Sequence, residues 1–404
     1  AEVVSMLLAK QGVDVNQARD NGVTPLWIAS SNGHAEVVAM LLDKKGVNVN
    51  QARSNGTTPL WIASGNGYAE VVSMLLDKQG VDVNQAMNNG VTPLYIASSN
   101  GHAEVVSMLL AKQGVNANQA DNRGVTPIMV ASQEGHAEVV PMLLGKQGVD
   151  VNQAANNGWT PLYIASRNGN AKVVKKLLAN QRVEVNQATE HGVTPLWIAS
   201  YKGHAEVVAL LVMLKRGKIL VDSCETRYKK TPLMAACMKG SKTIVDLLLR
   251  LGPNVDLKDK TGETALGIAC KKENDELVKL LFGAGASFPD DPSKEMEKVL
   301  VRVIGLDYVK SIGKSRAEKF HRLEGPTWWE KVQCAICHEP LSPGYWHTRR
   351  CGHSFHDKCI TDWYDIKNGN ENALACPICR GQGVCFGERS KIPLVQETYR
   401  NLRL

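Results

Sequence analysis

One string governs how this chain can fold. Thr24-Pro25-Leu26 returns at Thr58, Thr92, Thr126, Thr160 and Thr194, each 34 residues on; it returns at Thr231 after 37 and, as Thr264-Ala265-Leu266, after 33. Eight copies of one unit, with a half copy ahead of them, specify a stacked array in place of a single-cored globule. The residues of a unit say what it is. Thr24 can offer its hydroxyl to free backbone N–H groups at a helix start, and Pro25 suits the first helical position, where no N–H is needed. Leu26 and Ala29 then face inward, and Asn32-Gly33 breaks the helix. A second helix is expected through Val37, Val38, Leu41 and Leu42, ended by Gly46 in the left-handed conformation, and Asn21-Gly22 marks a turn before the next Thr. Two short helices and a turn cannot bury their own apolar faces, but stacked units share one core. The opening AEVVSMLLAK recurs at 103–112 as the second half of a unit, so the chain is expected to start inside a repeat, and no N-terminal targeting signal can be read from it.

At TPLWIA…GHAEVV the sequence resembles the ankyrin family, over about residues 1–287. Two departures stand out. Where the family favours His after Thr-Pro-Leu, this chain has Trp27, Trp61, Tyr95, Met129, Tyr163, Trp197, Met234 and Gly267; the 34-residue period also inserts one residue beside the usual 33, placed here in the loop Asp43-Lys44-Lys45-Gly46. The resemblance implies a binding scaffold that uses turn tips and the faces of the first helices to hold a protein target. The tips vary most between units: Arg19-Asp20-Asn21, Arg53-Ser54-Asn55, Met87-Asn88-Asn89, Asp121-Asn122-Arg123, Thr189-Glu190-His191 and Arg227-Tyr228-Lys229. That variation fits a recognition surface, and free drift of exposed turns fits it equally. The aromatic series from Trp27 to Trp197 fits either peptide stacking or packing between neighbouring helices, the second being the commoner use of such a stripe. His34, His102, His136 and His204 repeat one structural position without other ligand types beside them, so they read as helix-start hydrogen bonders, not metal ligands.

Residues 288–331 leave the repeat pattern. Asp290-Asp291-Pro292-Ser293 reads as a helix start, Met296, Val299, Leu300, Val303 and Ile304 share one helical face, and Gly305 closes the segment. Such a helix can cap the open end of the array or hold a partner helix, and capping is what a terminal repeat requires. A weaker helical pattern runs through Ile312, Ala317, Phe320 and Leu323 up to Gly325-Pro326, with Trp328-Trp329 after it.

Six of the ten cysteines crowd into residues 334–379, in Cys-x-x-Cys units with histidines between them. Eight candidate ligands stand in order: Cys334, Cys337, Cys351, His353, His356, Cys359, Cys376 and Cys379. Thiolate and imidazole suit tetrahedral zinc, and eight ligands fill two closed sites, which leaves no open position for an activated water. A segment of ~50 residues with few apolar side chains cannot fold on its core alone, so bound zinc must supply much of its folding free energy. The spacing resembles the RING finger family in its two-histidine form. The resemblance implies a cross-brace, with Cys334, Cys337, His356 and Cys359 on one Zn2+ and Cys351, His353, Cys376 and Cys379 on the other. It also implies that Ile336, Trp363 and Pro377 form the shallow apolar patch that seats a ubiquitin-conjugating enzyme. Arg380 would be the linchpin that contacts that enzyme and its ubiquitin together. Local packing around zinc is the competing account of the three apolar residues. Cys385, beyond the ligand set, has no base placed near it in sequence and reads as incidental.

The expected fold is therefore mostly α: an ankyrin-repeat solenoid (1–287), a helical connector (288–331), a small zinc-stabilised α+β RING finger (332–381) and a tail (382–404). The expected function is that of a ubiquitin-protein ligase, with a non-catalytic zinc-binding adaptor as the alternative. The net charge of +7 is uneven: −1 over 1–214, +5 over 215–288, 0 over 289–330 and +3 over 331–404. That is the imbalance of a solvated face, not of a nucleic-acid footprint. Cys237 and Cys270 take the place of Ser30 and Ser98 in other units and read as buried thiols, which with the zinc spacing implies a reducing compartment, cytoplasmic or nuclear. No apolar run reaches the ~20 residues a membrane span needs; the longest lies around Val207–Leu214.

Overall fold

A computed structural model of the chain describes residues 1–214, 217–287 and 293–304, and two short strands at 346–347 and 354–355. It divides into two compact units, Ala1–Arg227 and Tyr228–Leu404.

The first unit is two layers of short helices. The first helices of the repeats are α2 (Pro25–Ser31), α4 (Pro59–Asn66), α6 (Pro93–Asn100), α8 (Pro127–Glu134), α10 (Pro161–Asn168) and α12 (Pro195–Lys202), and each packs on the next. The second helices form the other layer: α3 (Ala35–Leu42), α5 (Ala69–Asp77), α7 (Ala103–Ala111), α9 (Val139–Gly145), α11 (Ala171–Ala179) and α13 (Ala205–Leu214), preceded by α1 (Glu2–Leu8). The threonine caps form as expected: the Thr24 hydroxyl accepts from Trp27 N at 3.1 Å, and the pattern repeats at Thr58, Thr92, Thr160 and Thr194. At Thr126 the hydroxyl has no such bond. The α9 helix starts at Val139, two residues later than its siblings, because Pro141 is tolerated only in a first turn, where its missing N–H is not needed. Leu26, Leu60, Leu94 and Ile128 from one layer meet Leu41, Leu75, Leu109 and Leu143 from the other in full burial. Each such side chain contributes ~2–3 kcal/mol.

One boundary differs from expectation. The α3 helix ends at Leu42 with Asp43 as its cap, and Gly46, at φ 83°, belongs to the turn that follows. The left-handed residue is required by that turn, not by the helix end.

What joins one repeat to the next is a ladder of asparagines. Asn16, Asn50, Asn84, Asn118 and Asn152 donate from Nδ2 to carbonyls of the next unit, at Gly46, Gly80, Gly114, Gly148 and Arg182, over 2.7–2.8 Å. Their Oδ1 atoms accept from the N–H groups of Asn48, Asp82, Asn116, Asp150 and Glu184. Asn186 bonds Lys218 and Leu220 in the same way. A lysine series adds to it. Lys78, Lys112 and Lys146 reach back to the carbonyls of Leu42, Leu76 and Leu110. They place an ammonium at the negative C-terminal end of the preceding second helix.

The second unit holds two more helix pairs, α14 (Pro232–Lys239) with α15 (Lys242–Leu249) and α16 (Ala265–Lys271) with α17 (Asp275–Gly283). The connector helix α18 (Lys294–Ile304) starts where Ser293 Oγ accepts from Met296 N at 3.3 Å, and it lies against α16 and α17. Met296, Val299 and Leu300 are buried there, and Arg302 pairs with Asp275. The capping expectation therefore holds within this unit. Gly267, which stands where other repeats carry a large side chain, makes room: a Cβ there would meet the Met296 methyl at 3.4 Å. The expected helix through Ile312–Leu323, Gly305 and Trp328-Trp329 lie outside the described residues.

Candidate functional site

The aromatic series is packed between helices. Trp27, Tyr95, Tyr163 and Trp197 are buried and Trp61 half-buried, with Met129 and Met234 fully enclosed. Tyr95 sits with Val91 and Val130, flanked by Trp61, Met87, Ile96 and Val125, and the Trp61 Nε1 donates to Val91 O at 2.9 Å. Burial first, and then the nearby Asp121 carboxylate, push the Tyr95 phenol above its ordinary pKa; burial alone does so at Tyr163. Packing, the commoner use of such a stripe, is thus the role of these rings.

Two repeats go further. The half-buried Trp159 lies 5.5 Å from the Tyr163 ring, and the Arg167 guanidinium sits 4.9 Å from the Trp159 centroid. One repeat on, Tyr201 stacks on Trp197 at 5.2 Å and 20°, with the Lys202 ammonium 6.0 Å from its ring. Nearer the start of the array, Arg53 lies 4.7 Å over the Trp27 ring.

The turn tips are not free backbone. Ser54 N bonds Asn21 O, Asn88 N bonds Asn55 O, Asn122 N bonds Asn89 O and Asn156 N bonds Arg123 O, each at 2.9–3.1 Å. The varied tip side chains thus stand on a bonded backbone row. At one tip, buried Asp121 accepts from the N–H groups of Arg123 and Val125 at 2.9 Å and pairs with the Arg123 guanidinium at 2.8 Å, which also reaches the Tyr95 hydroxyl at 3.3 Å. Asp259 does the same in the second unit, with Lys230, Thr261 and Glu263 N as partners.

The recurring histidines need a correction. His34 and His102 occupy the N-cap position but make no side-chain capping bond to their own helix, and His136 lies ahead of the late-starting α9, whose cap is Glu138. Instead, Nε2 of His102, His136 and His204 donates to the carbonyls of Gly65, Ser99 and Arg167 in the preceding repeat, at 2.8–3.0 Å. The ring reaches that far because it lies flat over a glycine: a Cβ on Gly101, at φ 75°, would strike the His136 imidazole at 2.5 Å. Sequence periodicity within one unit cannot show a bond between units, so the signal available was only the co-occurrence of Gly and His at a fixed offset.

Cys237 and Cys270 are buried as expected, and burial pushes each thiol up to about 12, with Asp275 adding to the rise at Cys270; Cys224 is exposed. Among the described residues no cluster of three or more His, Cys, Asp or Glu could hold a metal, and no helix is long and apolar enough to cross a membrane. The zinc-ligand set Cys334, Cys337, Cys351, His353, His356, Cys359, Cys376 and Cys379 lies outside the described residues, as do Ile336, Trp363, Pro377 and Arg380. Inside that stretch, β1 (Trp346–His347) pairs antiparallel with β2 (Ser354–Phe355), Trp346 opposite Phe355 and His347 opposite Ser354. The six cysteines and two histidines are a donor set whose chemistry fits zinc.

A family model described as Ankyrin repeats (3 copies) matches residues 1–87, 79–155, 146–222 and 214–290, and one described as Ring finger domain matches residues 332–380. The chain is 38% identical over 48 residues to Alcohol-sensitive RING finger protein 1 of Eremothecium gossypii, covering 12% of this chain and 14% of the relative. It is 35% identical over 60 residues to the Probable E3 ubiquitin-protein ligase RHG1A of Arabidopsis thaliana, covering 15% and 8%. It is 26% identical over 171 residues to the DNA repair protein RAD5 of Saccharomyces cerevisiae, covering 41% and 14%. The chain thus spans 14% or less of the length of each of these relatives.

Proposed function

Because this chain belongs to the ankyrin-repeat family and carries a RING finger, we propose that it is a ubiquitin-protein ligase whose array recruits a protein target. The observation that carries the reading is the Ring finger match over 332–380, which encloses all eight ligand positions together with Ile336, Trp363, Pro377 and Arg380. The name of the Arabidopsis relative supports it.

On this reading the chain divides into an array (1–287), a connector (288–331), a RING finger (332–381) and a tail (382–404). Cys334, Cys337, His356 and Cys359 would hold one Zn2+, and Cys351, His353, Cys376 and Cys379 a second. Bound zinc supplies structural cross-linking in place of a core. Ile336, Trp363 and Pro377 seat a ubiquitin-conjugating enzyme through a small set of apolar anchors. Arg380 spans that enzyme and its ubiquitin, a task suited to a planar guanidinium with five donors. The bond chemistry needs no nucleophile of this chain. A target lysine amine attacks the thioester between the enzyme's cysteine and ubiquitin, an isopeptide forms, and the thiol leaves. This protein contributes proximity and orientation. The buried free thiols Cys237 and Cys270 agree with a cytoplasmic or nuclear site of action.

The test is self-ubiquitination by the purified full chain with a panel of conjugating enzymes. Ubiquitin ladders are expected, and Arg380→Ala should weaken them by about tenfold or more. Ile336→Ala should abolish them while the zinc content stays normal. Silence across the panel with zinc bound would transfer the assignment to a non-catalytic adaptor.

A further inference from the structure

The first helices of the first unit carry an aromatic or Met at one position and a second residue four further on. In the first four repeats that second residue is Ser31, Gly65, Ser99 or Gln133. In the next two it is Arg167 and Tyr201, and the preceding turn of the first of these holds Trp159 where other repeats hold Val23, Thr57, Val91, Val125 or Val193. The substitutions fall together in space, because α10 packs directly on α12 and Arg167 and Tyr201 occupy equivalent positions on them. Neighbouring helix axes lie about 8–10 Å apart, which a peptide of three or four extended residues covers.

The patch is prearranged. Tyr201 is 41% exposed, yet its ring is fixed by stacking on Trp197 at 5.2 Å. Arg167 is held against Trp159 at 4.9 Å, and Lys202 stands at the Tyr201 ring. Among the described residues, neither Arg167 nor Lys202 forms an ion pair. An exposed aromatic with Trp and Arg beside it, already immobilised, has the composition of an interface hot spot and loses little entropy on binding.

The geometry points to a docking site here for an acidic peptide: a segment with an apolar or aromatic side chain on the Tyr201 ring and flanking carboxylates on Arg167 and Lys202. Charge selects this occupant over a nucleic acid. Two cations suffice for two carboxylates, whereas a polyphosphate strand needs a run of them, and residues 1–214 sum to −1. The assignment specifies the target class of the array on the proposed ligase reading, but the binding itself does not depend on a working RING.

The experiment titrates the full chain against three fluorescein-labelled nine-residue peptides by fluorescence anisotropy. Each has a central Leu-Trp pair, flanked by Asp and Glu, by Ser and Gly, or by Lys and Arg. The acidic peptide should bind about tenfold tighter than the neutral one, and the basic one should not bind. Tyr201→Ala and Lys202→Glu, both at the surface, should each weaken the acidic peptide by about tenfold with an unchanged thermal melt, while Lys45→Glu, exposed and outside the patch, leaves it unaltered. Equal binding of all three peptides, indifference to both patch variants, or tighter binding of a labelled oligothymidylate would overturn the assignment. The two readings fail separately: peptide binding without ubiquitin ladders removes the ligase, and ladders without peptide selectivity remove the patch.

Discussion

Replacing Asn118 by Ala opens the array at one joint. The carboxamide donates to Gly148 O at 2.7 Å and accepts from Asp150 N at 3.0 Å. Both partner residues are exposed, so water takes over their polar groups once the carboxamide is gone, and no buried group is left unmet. What is lost is the net worth of two exchanged hydrogen bonds, about 0.5–1.5 kcal/mol each. Ala returns a little by having no rotamers to freeze. The sum is about 1–2 kcal/mol, which lowers the Tm of a unit of this size by about 2–8 °C. Because a solenoid's stability is a sum of neighbour terms, Asn50→Ala and Asn84→Ala should cost the same within about 0.5 kcal/mol, and pairs of these changes should add. Urea unfolding followed by far-UV circular dichroism reads all of this. A loss under about 0.3 kcal/mol at all three positions would refute the ladder as the joint, since the estimate rests on two bonds at about 1 kcal/mol each.

Asp259 gives a pH signature. Burial alone would raise its carboxyl, but bonds from Lys230, from the Thr261 hydroxyl and from the N–H groups of Glu263 and Thr261 outweigh it and bring it to about 2. A depressed folded pKa contributes stability that is present above the unfolded value of about 3.9 and lost as pH falls toward 2. Asp259→Asn should therefore flatten the second unit's stability profile across that window, by about 2 kcal/mol at its upper end, in acid titrations followed by circular dichroism. Brief alkylation of the native chain at mildly alkaline pH, mapped by mass spectrometry, should label Cys224 and spare Cys237 and Cys270; equal labelling would contradict their burial. Chelation of zinc should end ubiquitin transfer but leave the array's helical signal intact, and a joint collapse of both would refute the independence of the two parts.

The sequence made the repeat legible because its determinants are local. A Thr cap, a Pro at the first helical position and a Leu two residues after the Thr act within one turn, and apart from the missing cap bond at Thr126 each stands where the string places it. The capping helix α18 was legible for the same reason, from its apolar face. The joints were not. Asn16, Asn50 and Asn84 recur as visibly as the threonines, but their partners lie 30 and 32 residues away in the next unit, and periodicity does not show which atoms of two copies meet. The histidine bonds escape periodicity on the same ground, and the role of Gly46 escapes it because a left-handed glycine serves a turn as well as a helix end. Zinc-ligand spacing is legible without a fold, since coordination chemistry fixes residue type and interval together.

The lysines that reach back to Leu42, Leu76 and Leu110 acquire a second meaning if the chain transfers ubiquitin. An amine can attack a thioester only with its lone pair free and its stem able to swing. Lys78, Lys112 and Lys146 are spent as donors on backbone carbonyls, whereas Lys172, Lys175 and Lys176 on α11 stand in solvent. The same contacts that clasp one repeat to the next therefore shield those amines from that reaction, and self-modification of the array would fall on its exposed lysines instead.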